Sequence, residues 1–390
     1  MFHTIQNKTS LILVCLILMT TMIFLNNVGF SNGQVDQLLY SVRIGGSEVT
    51  SMVTDNLGNI YICGTTSDPD FFVTENAFDD TYCGRIDSFV MKISADFSTI
   101  IYSTFIGGSD YDYAQSLVVD EWGCVIVAGS TASLDFPFSA GSFFPIEERA
   151  SYTFVCRLCA DGSNLMYSSS YEELLNSSAK SVAIDSNGFI YVAGNIMLNE
   201  DDPEGIFTLK LNPNCEYDSM FVTTHECNMN EPHMSVDGDG NMYIASYTLE
   251  YENPVTEDAY QKEKHPPNYA QTGYIVKIDP TGTTFLYATY LGGSHRDLLH
   301  DIAIDANQCL YVTGMTFSKD FPTTQNAFNA KPNGGVETFF VKIDTSEAGK
   351  AEVVFSSFFG GSGYEYSNSI QIGQEGNVDW LCEDGYRNLC

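Results

Sequence analysis

Imidazole, thiolate and carboxylate groups crowd one short stretch of this chain. His225, Glu226, Cys227, Glu231 and His233 fall within nine residues. Nitrogen and sulfur donors of this kind suit a transition metal. The spacing fits no standard ligand set, because Met229 stands where a zinc-protease helix carries its second histidine. The competing reading is a variable loop closed by a Cys215–Cys227 disulfide, and Cys382 with Cys390 makes a second local pair. A different set of acids follows Gly-Gly-Ser segments: Asp110 and Asp112, Asp297 beside Arg296, and Glu365. Asp112, Asp297 and Glu365 offer hard oxygen ligands of the type calcium takes. Their recurrence argues instead that they cap backbone amides at a turn every unit makes.

Other chemistry-bearing patterns are weaker. Cys156 and Cys159 form a lone C-x-x-C in an expected strand, which would point the two thiols to opposite faces. Asp237-Gly238-Asp239-Gly240-Asn241 begins like a calcium loop. Met242 replaces the glycine such a loop needs and Thr248 replaces the glutamate, so a hairpin turn is expected. Gly360–Gly363 is no nucleophile elbow, since Tyr364 takes the last glycine position. No phosphate loop, dinucleotide fingerprint or recognisable Ser/His/Asp set is present, and 6 histidines leave few bases for hydrolysis.

The elements that must position these residues repeat. Ser51–Thr66, Ser116–Thr131, Ser181–Asn195 and Asp301–Thr316 are copies of one pattern, and Met234–Thr248 is a weaker one. A turn aspartate recurs as Asp55, Asp120, Asp185, Asp237 and Asp305, at steps of 65, 65, 52 and 68 residues. Ser369–Cys382 is another copy, with Gly373 in place of the aspartate. Each copy carries four strand signals: an apolar alternation ending at the aspartate, an IYVAG-like run, a run such as Asp87–Ser94, and a run such as Ile100–Ser109. Aspartate caps the first turn and glycine supplies its positive φ. Four antiparallel strands per unit at this period describe propeller blades, which bury both faces by stacking. The expected fold is all-β: a β-propeller of about six four-stranded antiparallel blades. Five are complete, and a partial one at Ser369–Cys382 is completed by the N-terminal strand in Leu38–Ser47.

The strings YSTFIGGSDYD, IYVAG, SLDFP, SKDFPTTQNAF and DSFVMKI resemble the bacterial beta-propeller repeats called SBBP repeats. The resemblance spans Leu38–Cys382 and degrades in the third and fourth units. It implies a propeller in an exported or cell-surface protein, and it brings no catalytic residues with it. The loops between second and third strands are long: Thr65–Ile86, Ser130–Ser151, Tyr247–Thr272 and Met315–Val336. They emerge at the same end as the Gly-Gly-Ser links, so that end is the expected working face. The recurring Phe of Asp135–Pro137 and Asp320–Pro322, and the later Phe78, Phe143 and Phe328, are expected to pin these loops.

Composition bounds the function. The chain has 390 residues and a formal net charge of −33, which repels phosphate backbones and excludes nucleic acid as a partner. Residues 1–33 read as a signal peptide: Lys8 precedes an apolar run, Leu11–Leu25, and Ser31 and Gly33 suit cleavage before Gln34. An uncleaved N-terminal anchor is the alternative. No later segment is long and apolar enough to span a bilayer, so residues 34–390 are expected as a propeller domain without a membrane span. Secretion or cell-surface location follows. The expected function is a non-catalytic binding or adhesion module for an extracellular carbohydrate or protein, with calcium as an ion it could carry. The alternatives are a structural spacer of a surface layer, or a polysaccharide-active hydrolase or lyase. The enzyme would need two channel-facing carboxylates roughly 5–10 Å apart.

Overall fold

The turn aspartates decide where the first strands stop. Asp55 Oδ1 accepts the amide N–H groups of Leu57 and Asn59, both at 2.9 Å, and Gly58 closes the turn at φ +80°. Asp120, Asp185, Asp237 and Asp305 accept the equivalent amides at 2.9–3.0 Å. Two donors satisfied by one carboxylate oxygen make the reversal tight, so the second strand returns antiparallel to the first.

A computed structural model describes residues 46–390 except 140–149, 198–203, 214–228, 250–251, 266–269, 347–350, 374–376 and 385–390. It also gives backbone strands within residues 12–42. Four sheets have four antiparallel strands in chain order. The first is Ser47–Thr54, Ile60–Thr66, Asp87–Ile93 and Ile100–Ile106. The second is Asp112–Val119, Val125–Thr131, Tyr152–Leu158 and Leu165–Leu175. The fourth is Asn230–Val236, Met242–Thr248, Thr272–Ile278 and Phe285–Leu291; the fifth is Asp297–Ile304, Cys309–Thr316, Glu337–Asp344 and Glu352–Phe359. The third unit has three described strands, Ser177–Ile184, Ile190–Met197 and Glu204–Leu211; its expected fourth lies at 214–228, outside the described residues. The sixth has two, Glu365–Ile372 and Val378–Asp384. No helix occurs among the described residues, and none is long and apolar enough to cross a membrane.

The core lies between successive sheets. Tyr61, Val90, Leu117, Val127 and Phe154 join the first sheet to the second. Ile126, Val155, Val192 and Phe207 join the second to the third, and the pattern continues to the sixth, where Tyr311 meets Ile370. Each unit therefore buries its faces only against its neighbours, as stacked blades do.

The glycine of the IYVAG run has a steric cause. Each first strand carries a bulge, for example between Ala114 and Ser116, which pushes a carbonyl toward the second strand. A Cβ on Gly129 would lie 2.0 Å from Tyr113 O, and on Gly314 1.9 Å from Leu298 O. The fourth unit has Ser246 at this position and accommodates it with a wider irregularity, from Asn230 to His233, in which Glu231 takes φ +54°. Gly129→Ala is expected to lower the urea-unfolding free energy by about 1–3 kcal/mol, the range for overpacking. Gly238→Ala, with nothing within 4 Å of its Cβ, should change it by less than about 0.5 kcal/mol.

The long loops fold back along the outermost strands. Thr74 N donates to Ser103 O and Phe105 N to Asp79 O, both at 3.0 Å. Thr256 with Ala288, Tyr290 with Gln261, Thr324 with Ser356 and Phe358 with Asn329 repeat the arrangement at 3.1 Å. An open sheet edge is a template for aggregation, and these loops cover it. Phe71, Phe136 and Phe321 anchor them, with ring centroids 4.4–4.6 Å from Phe89, Phe154 and Phe339. Of the later phenylalanines, Phe78 packs against the core, Phe328 is 75% exposed, and Phe143 is outside the described residues.

The N-terminal strand differs from expectation. Tyr40–Val42 pairs with Thr21–Asn26, and the last sheet keeps two strands in order. The apolar N-terminal segment supplies a competing antiparallel partner within the same chain. The expected signal-peptide cleavage point, Ser31 to Gln34, lies among residues whose side chains are not described.

Candidate functional site

A polar arrangement recurs beneath the turn aspartates. Tyr61 donates its hydroxyl to Asp55 Oδ2 at 3.1 Å, and Tyr191, Tyr243 and Tyr311 do the same to Asp185, Asp237 and Asp305 at 2.9–3.2 Å. A lysine from the third strand lies over each ring: Lys92, Lys210, Lys277 and Lys342, with Nζ 4.7–4.9 Å from the centroids. Burial, then the nearby aspartates, push the Tyr61 and Tyr191 hydroxyls well above the usual phenol range. These tyrosines stay protonated and act as donors.

The second unit breaks this pattern. Ile126 stands at the tyrosine position and Arg157 at the lysine position. Asp120 now takes Arg157 Nη2, in an ion pair whose side chains are only 3% and 10% exposed. Arg157 Nη1 also donates to Pro213 O of the third unit at 3.0 Å. Its guanidinium lies 5.2 Å from the centroid of Trp122, a ring residue 59% exposed where other units carry Leu57, Asn187, Asp239 and Asn307. Losing the tyrosine ring leaves a cleft of about 200 Å³ lined by Asp120, Trp122, Ile126, Arg157, Asp185 and Pro213. Arg157 neutralises Asp120, so Glu121 and Asp185 set the sign of the cleft. It lies at the short-turn end, opposite the long loops.

The acids after the Gly-Gly-Ser segments are buried caps. Asp112 accepts Gly108 N at 2.7 Å and Ser133 Oγ at 2.9 Å. Asp297 accepts Gly293 N at 2.8 Å, Ser318 Oγ at 3.0 Å and Thr316 Oγ1. Glu365 accepts Gly361 N at 3.0 Å and Gly363 N at 3.3 Å. Burial pushes Asp112 up to about 6 and Asp297 up to about 7 against the opposing hydrogen bonds. The three serve three different junctions between units and do not converge. Among the described residues, no three His, Cys, Asp or Glu side chains are grouped to hold a metal ion.

The histidine cluster resolves in part. His225, Cys215, Cys227 and Cys390 lie outside the described residues, as does the side chain of Cys382. His233 is half-buried on a first strand. Its position is informative, because a serine there links successive units elsewhere. Ser51, Ser116 and Ser181 accept the amides of Leu117, Val182 and Met234 at 3.1–3.3 Å. In the fifth unit Asp301 takes this role, accepting Ile370 N at 2.9 Å and Ser369 Oγ at 3.0 Å. His300 Nδ1 meets Ser367 O at 2.7 Å. Burial lowers the His300 imidazole and raises the Asp301 carboxyl, with His233 close enough to pull Asp301 back down. Asp301 was legible only as a departure from the serine position, and His300 only as the residue before it in the bulge. Cys156 is buried in its strand, whereas Cys159 sits past the strand end at Leu158 and contacts Asp161 at 2.8 Å, so the C-x-x-C spans a strand and a turn.

Residues 176–196 match the family model described as beta-propeller repeat, SBBP. This segment carries the SBBP-type repeat. The matched segment is the first two strands of the third unit, including its turn aspartate, Asp185. No curated protein matches the chain in sequence. Among solved structures the chain is similar to Kuenenia stuttgartiensis hydrazine synthase, with a TM-score of 0.50 and 10% identity over 95% of this chain and 88% of that one. At that identity the likeness concerns the fold alone. A subtype N10 neuraminidase-like protein of A/little yellow-shouldered bat/Guatemala/060/2010 aligns with a TM-score of 0.37 and 12% identity, over 98% of this chain and 93% of that one.

Proposed function

We propose that this SBBP-repeat protein is an exported or cell-surface propeller of six blades that acts as a non-catalytic binding module. The sixth blade is completed by the Leu38–Ser47 strand once the leader is removed. The observation that carries the binding reading is the Trp122 cleft. Elsewhere the polar side chains of the repeat are occupied: aspartates on turn amides, tyrosines on aspartates, lysines on tyrosine rings. The long loops have a role of their own in covering strand edges, which shifts the ligand seat from that end to the cleft. The exposed Trp122 ring offers a stacking platform, and Glu121 and Ser186 beside it offer acceptors for hydroxyl groups. That combination suits a sugar ring of an extracellular carbohydrate.

A glycan array probed with the purified protein, followed by calorimetry on the best binder, tests this reading. Trp122→Ala is expected to weaken binding at least roughly tenfold, the scale of a lost hot-spot aromatic, with an unchanged unfolding midpoint. Equal binding by Trp122→Ala, or no glycan bound at all, overturns it.

A further inference from the structure

The second unit sets two thiols against each other, and among the described residues no other unit does. Val125 pairs with Leu158 across the second and third strands, so the next residues outward, Cys124 and Cys159, stand opposite one another. The equivalent residues of the fifth unit, Cys309 and Asp344, are in register as a pair. The first, third and fourth units carry Asn59 with Ser94, Phe189 with Asn212, and Asn241 with Asp279 at these positions.

The backbone fixes the class of the pair. Cys124 spends both main-chain groups on the first-strand side: its N–H donates to Asp120 Oδ1 at 2.9 Å and its carbonyl accepts Asp120 N at 3.0 Å. Cys159 turns its N–H the other way, to Asn164 O at 2.9 Å. Opposed residues whose main-chain groups point apart form a non-hydrogen-bonded antiparallel pair, with Cα atoms about 4.5 Å apart and side chains on one face. Disulfides span Cα separations of roughly 4.4–6.8 Å, so this pair is within reach. Cys156, the other half of the C-x-x-C, is not. It lies three residues back along the strand, about 10 Å away, and points to the opposite face.

The two thiols differ in access. Cys124 is 6% exposed, with Sγ 3.7 Å from Met166 Sδ and in hydrogen-bond contact with the Arg157 side chain. Cys159 is half-buried where the strand gives way to the turn, and its Sγ accepts Asn164 N at 3.1 Å. An external reagent therefore meets Cys159 first.

We propose that Cys124 and Cys159 are a dithiol–disulfide site, closed by exchange with an external disulfide, that staples the second and third strands of the second unit. The Cys159 thiolate attacks one sulfur of the donor, R–S–S–R, forming Cys159–S–S–R and releasing RS⁻. The Cys124 thiolate then attacks the Cys159 sulfur, forming the Cys124–Cys159 bond and releasing the second RS⁻. The two cysteine protons pass through solvent to the two released thiolates, and the donor takes up the two electrons. The assignment does not depend on a ligand in the Trp122 cleft.

Equilibration of the purified full chain in glutathione buffers of graded reduced-to-oxidised ratio, then acid quench, alkylation and peptide mapping by mass spectrometry, tests it. The expected product is a crosslinked peptide pair containing Cys124 and Cys159, formed in the folded protein and lost on treatment with dithiothreitol. Closing the loop between these residues should raise the unfolding midpoint by about 5 °C over the reduced protein. Cys159→Ser should abolish both the crosslink and the rise, and Cys156→Ala should keep both. Alkylation of Cys124 and Cys159 at the most oxidising ratio overturns the proposal. So does a Cys156–Cys159 crosslink, or a Cys124–Cys159 crosslink that forms only in urea, where the strands no longer hold the pair.

Discussion

Arg157→Ala is expected to destabilise the protein by about 3–5 kcal/mol, the cost of stranding a buried charge. Asp120 is the charge left behind. In every other complete or matched unit a tyrosine hydroxyl satisfies the turn aspartate, but Ile126 cannot. The substitution also removes the Pro213 contact that ties the second unit to the third. Restoring the repeat by the double change Ile126→Tyr and Arg157→Lys should recover most of this loss. The tyrosine then donates to Asp120, and the lysine covers its ring as Lys92 covers Tyr61. Urea unfolding of the three proteins checks this. A double variant as unstable as Arg157→Ala would mean that the repeated Asp–Tyr–Lys arrangement is not transferable between units.

Acidification from about pH 8 to about pH 5 is expected to stabilise the wild-type protein more than Asp297→Asn, by roughly 2–3 kcal/mol at ~1.4 kcal/mol per pH unit. The sign follows from the raised carboxyls. Asp297, up to about 7 when folded, titrates near its ordinary value of 3.8 in the unfolded chain. Its contribution is therefore fully present at low pH and is lost as pH rises through about 7. Asp112, up to about 6, adds to the same trend over a lower window. His300 opposes it. Its imidazole is lowered by burial, so its contribution is present above the ordinary value of 6.5 and is lost as pH falls through the depressed folded value. Comparing wild type with Asp297→Asn isolates the aspartate from this background. Equal pH dependence in both proteins would show that the Asp297 carboxyl is ionised throughout.

Much of the fold was legible because the repeat is a backbone requirement. The turn aspartate, its glycine and the alternating apolar run specify a hairpin by local geometry alone, and five copies at similar steps specify stacking. The burial of Asp112, Asp297 and Glu365 in turn caps also followed from their recurrence. Three features were not legible. The role of the long loops depends on which strand each lies beside, a tertiary fact that loop length does not carry. The glycine of the second strand answers to a bulge in the first, and no residue type announces that bulge. The Trp122 cleft comes from an absence, Ile126 where a tyrosine recurs, coupled to Arg157 thirty-one residues later across the Ile126↔Arg157 strand pair. The signal for it was present in the alignment of the units, but the exchange looks conservative until the strands are paired.

The proposed binding function rests on the second unit's departure from the repeat at Ile126, Arg157 and Trp122. Measuring glycan binding by the Ile126→Tyr/Arg157→Lys protein tests that most directly. The tyrosine refills the cleft, so a protein with near-wild-type stability that has lost binding at least roughly tenfold is the predicted result. Retention of wild-type affinity by this folded variant would contradict it and place any ligand elsewhere on the propeller.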